Sequence, residues 1–259
     1  MSIISRCRYL GLLIFILSIL SINIILILSQ IFEFRDIPVP GNYYKDIKIY
    51  NAGDALQDKQ GLDEHGFAIP YLDGSTSISR LGRVYPNNLI FKPLMIASGF
   101  LICLFWHNKK KILFNLTPNN AYLKKMYMYG NITGVCLIIH IFFLGINIDN
   151  NLYKLFTRLI LVICLLSGLA SKYLFVKIVS HLSSKKMYSS NIFFLIQKFL
   201  VYILLLILLF SVPLLILDVK KSTVLILEWN YFVLIFSFYF LYFLSWNNQS
   251  VIQPPPNTL

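Results

Sequence analysis

The sequence is short of acidic residues, cysteine and histidine, and these shortages narrow the classes of function it can have. Only 11 of its 259 residues are Asp or Glu, against 23 Lys and Arg, which gives a formal net charge of +12. The four cysteines lie in or beside apolar runs, so they provide neither a disulfide framework nor a Cys-x-x-Cys metal site. The four histidines are scattered, without the spacing of metal ligands. We therefore predict no metal site and no cofactor.

The sequence also lacks the common catalytic and nucleotide-binding motifs. It contains no G-x-S-x-G, no H-x-x-x-x-D and no Walker loop. A catalytic pair can be imagined from Ser77 or Ser79 with His65, but a serine and a histidine within one loop are usually a coincidence. The lysines are divided among several loops and form no contiguous patch, which argues against nucleic acid as a partner. The sequence thus favours a protein that is not an enzyme, without deciding the matter.

What the sequence has in abundance is apolar residues. It is 57% hydrophobic with a mean hydropathy of +0.69, far above a soluble domain of this length. Apolar runs of about 18 residues or more, separated by short polar loops, predict an all-α membrane protein, because each span must satisfy its own backbone hydrogen bonds. The first run follows Arg6 and Arg8 and could be a signal peptide, but its length favours an uncleaved helix. We predict a bundle of six transmembrane helices at residues 9–29, 89–106, 127–147, 155–176, 199–217 and 223–246.

Charge distribution predicts the orientation of this bundle. Lysines cluster between the second and third spans and between the fourth and fifth, at Lys109, Lys110, Lys111, Lys124, Lys125, Lys177, Lys185, Lys186 and Lys198. By the positive-inside rule, these loops and both termini face the cytosol. Residues 30–88 carry eight of the eleven acidic residues and form a long lumenal or extracellular loop. Frequent Gly and Pro predict that this loop is mostly irregular, with one short strand near Tyr44–Tyr50.

The stretch from Ser77 to Phe91 lies where this loop meets the second span. Gly82 permits a close-packed backbone, and Pro86 prevents one helix from running into the next. On its own, such a segment more often reverses the chain than carries a function. The three tryptophans Trp106, Trp229 and Trp246 lie near predicted interfaces and are interpreted as anchors in the membrane belt.

A single acidic residue, Glu228, falls inside a predicted span. A carboxylate at that depth costs about 2 to 3 kcal/mol unless it faces a partner or water. The candidate partners are four basic residues near the same side of the membrane, Arg158, Arg80, Arg83 and Lys92. One interpretation is a structural ion pair, or a protonated carboxyl bonded to a neighbouring helix. The other is that Glu228 and the loop from Ser77 to Pro86 line a polar pocket for a lipid head group.

These features resemble the Frag/DRAM/Sfk family of six-span membrane proteins, which includes the damage-regulated autophagy modulators and the post-GPI-attachment factors. The resemblance lies in Ile78-Ser79-x-x-Gly82-x-x-x-Pro86-x-x-x-x-Phe91 and in Leu227-Glu228-Trp229. Arg80 stands where the autophagy modulators carry an acid, and Asn87 replaces their glutamate. Leu81 and Asn87 are more similar to the GPI-factor branch. The resemblance implies that Ser77, Ser79, Gly82, Pro86, Phe91, Glu228 and Trp229 form a lipid-binding or structural motif.

The resemblance also implies a function and a location. A GPI-anchor lipid-remodelling or lipid-homeostasis factor of the Golgi or endoplasmic reticulum has membrane lipids and GPI-anchored proteins as partners. A lysosomal autophagy modulator, in the lysosome or plasma membrane, is the first alternative. The second is a structural subunit that binds membrane proteins through residues 31–75. A transporter is disfavoured, because the spans lack the repeated halves expected of one.

Overall fold

The computed structural model describes residues 2–31, 69–83, 85–118, 120–146, 151–184, 191–216 and 221–246. Every regular element in these ranges is an α-helix. Six of these helices are long and apolar enough to cross a membrane, which confirms the predicted six-helix membrane fold. In chain order the helices are α1 (Ile3–Ile31), α2 (Pro70–Asp73), α3 (Ile78–Arg83), α4 (Asn87–Leu116), α5 (Ala121–Phe143), α6 (Asn151–Ser184), α7 (Ile192–Ile216) and α8 (Lys221–Ser245).

Most of the long helices extend beyond the predicted spans. With 34 residues, α6 is about 50 Å long at 1.5 Å per residue, so it exceeds the hydrocarbon thickness of about 30 Å. The assignment of most of the clustered lysines to loops was wrong, because the helices continue through them. Helix α4 includes Lys109, Lys110 and Lys111, and α5, α6 and α7 include Lys124, Lys125, Lys177 and Lys198. In contrast, α5 ends at Phe143 rather than at residue 147, and Gly145 just beyond it has a φ of 85°.

The six long helices form a closed ring in chain order. Helix α1 packs against α4 and α8, α4 packs against α5, α5 against α6, and α7 against α8. The contact between α6 and α7 is the least extensive of the six. Short connections make neighbouring helices antiparallel, so α2, α3 and the start of α8 lie at one end, called here the outer end. The other end, called here the basic end, carries Arg6, Lys110 and Lys124.

Glycines bring α4 and α5 into close contact. A Cβ at Gly99 would lie 3.0 Å from the carbonyl oxygen of Gly134, so the two backbones touch there. Gly130, four residues before Gly134, leaves room for the indole ring of Trp106. Small residues spaced in this way are typical of tightly packed membrane helices. The spacing fixes these two helices as a rigid pair.

An aromatic core fills the half of the bundle toward the basic end. Phe105 of α4 meets the rings of Tyr239 and Tyr242 of α8 edge-on, with centroids 5.1 and 4.9 Å apart. The prediction that the three tryptophans anchor a membrane belt was wrong, because Trp106, Trp229 and Trp246 are all fully buried. Their rings pack between helices instead of facing lipid.

The described part of the long loop contains two short helices, α2 and α3. Helix α3 ends at Arg83 and α4 begins at Asn87, with Pro86 immediately before α4. The predicted strand at Tyr44–Tyr50 lies outside the described residues, as does most of the predicted interface at 31–75.

Candidate functional site at the outer end

Glu228 and the loop segment meet at the start of α3. Glu228 lies two turns into α8, and its Oε1 accepts the backbone N–H of Ile78 at 3.2 Å. The backbone N–H of Ser79 also bonds to this carboxylate. The first N–H groups of a helix have no partner within the helix, and a negative charge stabilises that end. The carboxylate therefore holds α3 against α8.

The residue after Glu228 reinforces this junction. The indole N–H of Trp229 donates to the carbonyl oxygen of Thr76 at 2.7 Å. The ring of Tyr71 in α2 meets the Trp229 indole edge-on, with centroids 4.9 Å apart. Glu228 and Trp229, which are neighbours in one turn of α8, thus hold α2 and α3 together and act as one structural unit.

Helix α1 holds the other side of the same segment. The Tyr71 hydroxyl donates to Asn23 Oδ1 at 3.2 Å, and Asn87 Nδ2 donates to Ser29 Oγ at 2.6 Å. Asn87 Nδ2 also donates to the carbonyl oxygen of Leu81 in α3. Burial raises the pKa of the Tyr71 phenol, so it stays a neutral donor throughout the physiological range.

The glycine and phenylalanine of the predicted motif are in direct contact. A Cβ at Gly82 would lie 2.5 Å from a ring carbon of Phe91, which is itself buried. Pro86 lies between them in the chain, at the corner where α3 gives way to α4. The role of these three residues is structural: they shape the corner between α3 and α4.

The two serines of the motif provide hydroxyl groups beside Glu228. Ser77 Oγ and Ser79 Oγ are 3.2 Å apart, and both side chains are half-buried. Ser77 Oγ also accepts the backbone N–H of Arg80 at 3.1 Å. A pair of adjacent hydroxyls can both donate to and accept from a bound polar group.

Four buried oxygens of this segment have no hydrogen-bond partner within the described structure. A buried polar atom left unpaired costs about 1 to 3 kcal/mol, so such atoms mark places where water or a ligand supplies the missing bond. Thr76 and Asn87, which carry two of these oxygens, are fully buried. The oxygens are Ser75 Oγ, Thr76 Oγ1, Asn87 Oδ1 and Asn88 Oδ1.

The four basic residues predicted as partners of Glu228 lie in different places. Arg158 is exposed on α6, Lys92 is half-buried on α4, Arg80 is half-buried in α3 and Arg83 is exposed at its end. In the described part of the chain, the hydrogen bonds to the Glu228 carboxylate come from backbone N–H groups of α3. None of the four basic residues named from the sequence supplies these bonds, because a backbone cap from a distant helix leaves no pattern in the sequence.

The outer half of α6 is uncovered on the face that also carries Lys172. Residues Glu228, Tyr231, Ile235 and Tyr239 follow one another on one face of α8, at helical spacing. On the facing side of α6, Lys172 is buried with its Nζ 5.1 Å from the ring centroid of Tyr239. Toward the outer end, the same face of α6 is exposed at Leu161 and Arg158.

This face of α6 is therefore buried around Lys172 and exposed around Leu161 and Arg158. The contact between α6 and α7 is limited as well. The exposed part of the face is called here the outer face of α6: it is apolar at Leu161 and carries a guanidinium at Arg158.

Several residues of this site were missed in the sequence. Tyr71 and Thr76 hold the loop in place, yet isolated polar residues in a loop carry no distinguishing spacing.

Comparisons with known proteins gave no match: no family model, no curated protein and no solved structure matched the chain.

Proposed function

We propose that this membrane protein handles lipids, and that Glu228 and the segment from Ser77 to Pro86 form a head-group site at its outer end. The hydrogen bond from the Ile78 N–H to Glu228 is the observation that carries this proposal. It joins an acidic residue within a membrane helix to a hydroxyl-bearing segment at the membrane surface. A polar residue kept within a span despite its cost is typical of a functional site.

The outer face of α6 supports a lipid as the ligand. Its exposed apolar side chains suit acyl chains of the surrounding bilayer. Arg158 suits a phosphate, because a guanidinium offers several N–H donors to phosphate oxygens. The Glu228 carboxylate and the paired hydroxyls of Ser77 and Ser79 suit a head group that donates hydrogen bonds, such as a polyol or an ammonium.

The more specific proposal is a factor that remodels the lipid of GPI anchors in the Golgi or endoplasmic reticulum. It rests on the sequence resemblance described above, since a GPI anchor combines a phosphate, an inositol and acyl chains in the leaflet opposite the cytosol. Among the described residues, the groups around Glu228 are hydrogen-bonding groups without an activated nucleophile, which favours a lipid-binding accessory role over catalysis. His65, the conceivable catalytic partner of Ser77 or Ser79, lies outside the described residues.

The test is to compare anchor lipids, by mass spectrometry, in cells that lack the protein and in the same cells complemented with variants. Glu228→Gln keeps an oxygen that accepts the Ile78 N–H but removes the charge. We expect this variant to fold and reach its membrane while failing to restore the anchor lipids. Full restoration by Glu228→Gln would overturn the head-group site.

Asp73→Asn is the matched control. The Asp73 carboxylate also accepts two backbone N–H groups at the outer end, from Ile69 and Ser75, both at 2.7 Å. It lies in α2, away from the serine pair, so its neutral variant should restore the anchor lipids. Normal anchors together with altered lysosomal flux in the cells lacking the protein would favour an autophagy modulator instead. Isolation of the protein only within a stable assembly would favour a structural subunit.

A further inference from the structure

A groove of about 580 Å³ opens at the basic end of the bundle, far from Glu228. It lies between the end of α6 and the start of α7. The α6 side is a row of hydroxyls and the α7 side combines one amide, three apolar side chains and one lysine. The lining residues are Ser180, Ser183, Ser184, Asn191, Ile192, Phe194, Leu195 and Lys198.

Hydrogen bonds of Asn191 hold one side of the groove in place. Asn191 precedes α7, and its Oδ1 accepts the backbone N–H of Phe194 at 3.0 Å. Its Nδ2 donates to the carbonyl oxygen of Ser245 at the end of α8, also at 3.0 Å. The start of α7 is therefore tied to the end of α8, and each of these is the end of a helix long and apolar enough to cross a membrane. The ends of membrane spans lie near the lipid head groups.

The charges around the groove are all of one sign in the described part of the chain. The acidic residues described there are Asp73 and Glu228, and both belong to the outer end. Lys198, in contrast, lines the groove. No carboxylate among the described residues neutralises Lys198. A bound anion is therefore attracted by the Lys198 ammonium without competition from a described acidic residue.

The remaining walls distinguish a lipid from a free anion. Ile192 and Leu195, which line the groove, are about three-fifths exposed, at 61% and 59%. Apolar surface beside a lysine and three serines suits a molecule with a phosphate at one end and a hydrocarbon chain at the other. Free phosphate would use the polar half alone.

We propose that this groove binds the head group of an anionic phospholipid from the leaflet at the basic end, which the lysine distribution predicts to be cytosolic. The lipid phosphate accepts from the Lys198 ammonium and from the serine hydroxyls of α6, and the first part of its acyl chain lies on Ile192 and Leu195. This site is separate from the proposed outer site and does not depend on it.

The test uses the purified full-length chain in a neutral detergent, with bound lipid counted by native mass spectrometry during titration. Phosphatidylserine and phosphatidylcholine are compared, because they differ in net charge but share a phosphate and acyl chains. We expect phosphatidylserine to bind more tightly than phosphatidylcholine. We expect Lys198→Gln to weaken phosphatidylserine binding about fivefold, because one basic residue near a lipid surface contributes about 1 kcal/mol. Lys111→Gln is the matched control, since Lys111 is an exposed lysine at the same end but lies on α4.

Three results would overturn the proposal: equal binding of the two lipids, an unchanged affinity after Lys198→Gln, or an equal loss after Lys111→Gln. Inorganic phosphate is added as a competitor in a separate arm, and displacement of the lipid by it at equal concentration would indicate a free-anion site. Ser183→Leu fills the groove without changing charge, so it should reduce binding of both lipids. Unchanged melting temperatures for all variants show that the protein is folded.

Discussion

The phenyl ring of Phe91 lies directly against the Cα of Gly82, across the corner formed by Pro86. A Cβ at position 82 would come within 2.5 Å of the ring, which cannot move away because Phe91 is 98% buried in the core, with a relative exposure of 2%. We therefore expect Gly82→Ala to destabilise the protein by about 1 to 3 kcal/mol, the usual cost of overpacking. Denaturation of the purified protein in detergent measures this loss.

A second substitution tests whether this contact is the cause. Phe91→Leu shortens the side chain and leaves room for the new methyl group. The double variant should then lose less stability than the sum of the two single variants, because neighbouring residues couple. Strictly additive losses would mean that Gly82 is required for another reason.

Trp229→Phe should loosen α3 without unfolding the bundle. The substitution removes the N–H that Trp229 donates to the carbonyl oxygen of Thr76 and leaves that buried oxygen unpaired, at a cost of about 1 to 3 kcal/mol. The expected result is faster hydrogen exchange at the backbone amides of Ile78 and Ser79. Tyr71→Phe, which removes a half-buried bond to Asn23, should have a smaller effect. Unchanged exchange after Trp229→Phe would mean that Glu228 alone holds α3.

The contact between Glu228 and the segment around Ile78 could be predicted from the sequence, because an acidic residue within a span needs a partner. Apolar run lengths likewise predicted the six long helices. The nature of the partner could not be predicted, since capping of α3 by α8 joins residues 150 positions apart through backbone atoms. Sequence patterns record side-chain types, and a bond to a backbone N–H depends only on where the chain passes.

The buried tryptophans and lysines show a second limit. Trp246 and Lys109 lie where a chain usually leaves the membrane, so an interfacial role was the natural prediction for both. In the structure Lys109 is fully buried and its ammonium lies over the aromatic ring of Trp246. Whether a residue near a helix end faces water or a neighbouring helix is decided by packing between α4, α6 and α8, which leaves no local signal.

Lys109→Met should lower the melting temperature in detergent. The amine contacts the rings of Phe175 and Tyr242 as well as Trp246, and it donates to the Tyr242 hydroxyl at 3.2 Å. Methionine is of similar size but cannot donate this hydrogen bond, and the loss of a bond to a buried polar group costs about 1 to 3 kcal/mol. Lys111→Met, at an exposed position of the same helix, should leave the melting temperature unchanged. A higher melting temperature for Lys109→Met would mean that the amine is retained for function at a cost in stability.

Single cysteines can test whether water reaches the outer face of α6. All four native cysteines are free, so a background with each replaced by serine or alanine leaves one reporter thiol. Leu161→Cys lies on the outer face of α6, and Leu159→Cys lies on the opposite side of the helix. A maleimide reacts with the thiolate, which forms in water and not in hydrocarbon.

If the head-group site extends along the outer face of α6, a water-soluble maleimide should label position 161 faster, although Leu159 is the more exposed residue, at 50% against 38%. Added lipid should then slow labelling at position 161 alone, because it competes for this face. Equal labelling of the two positions would mean that lipid tails cover both sides of α6 and that no head group reaches Glu228 along this helix.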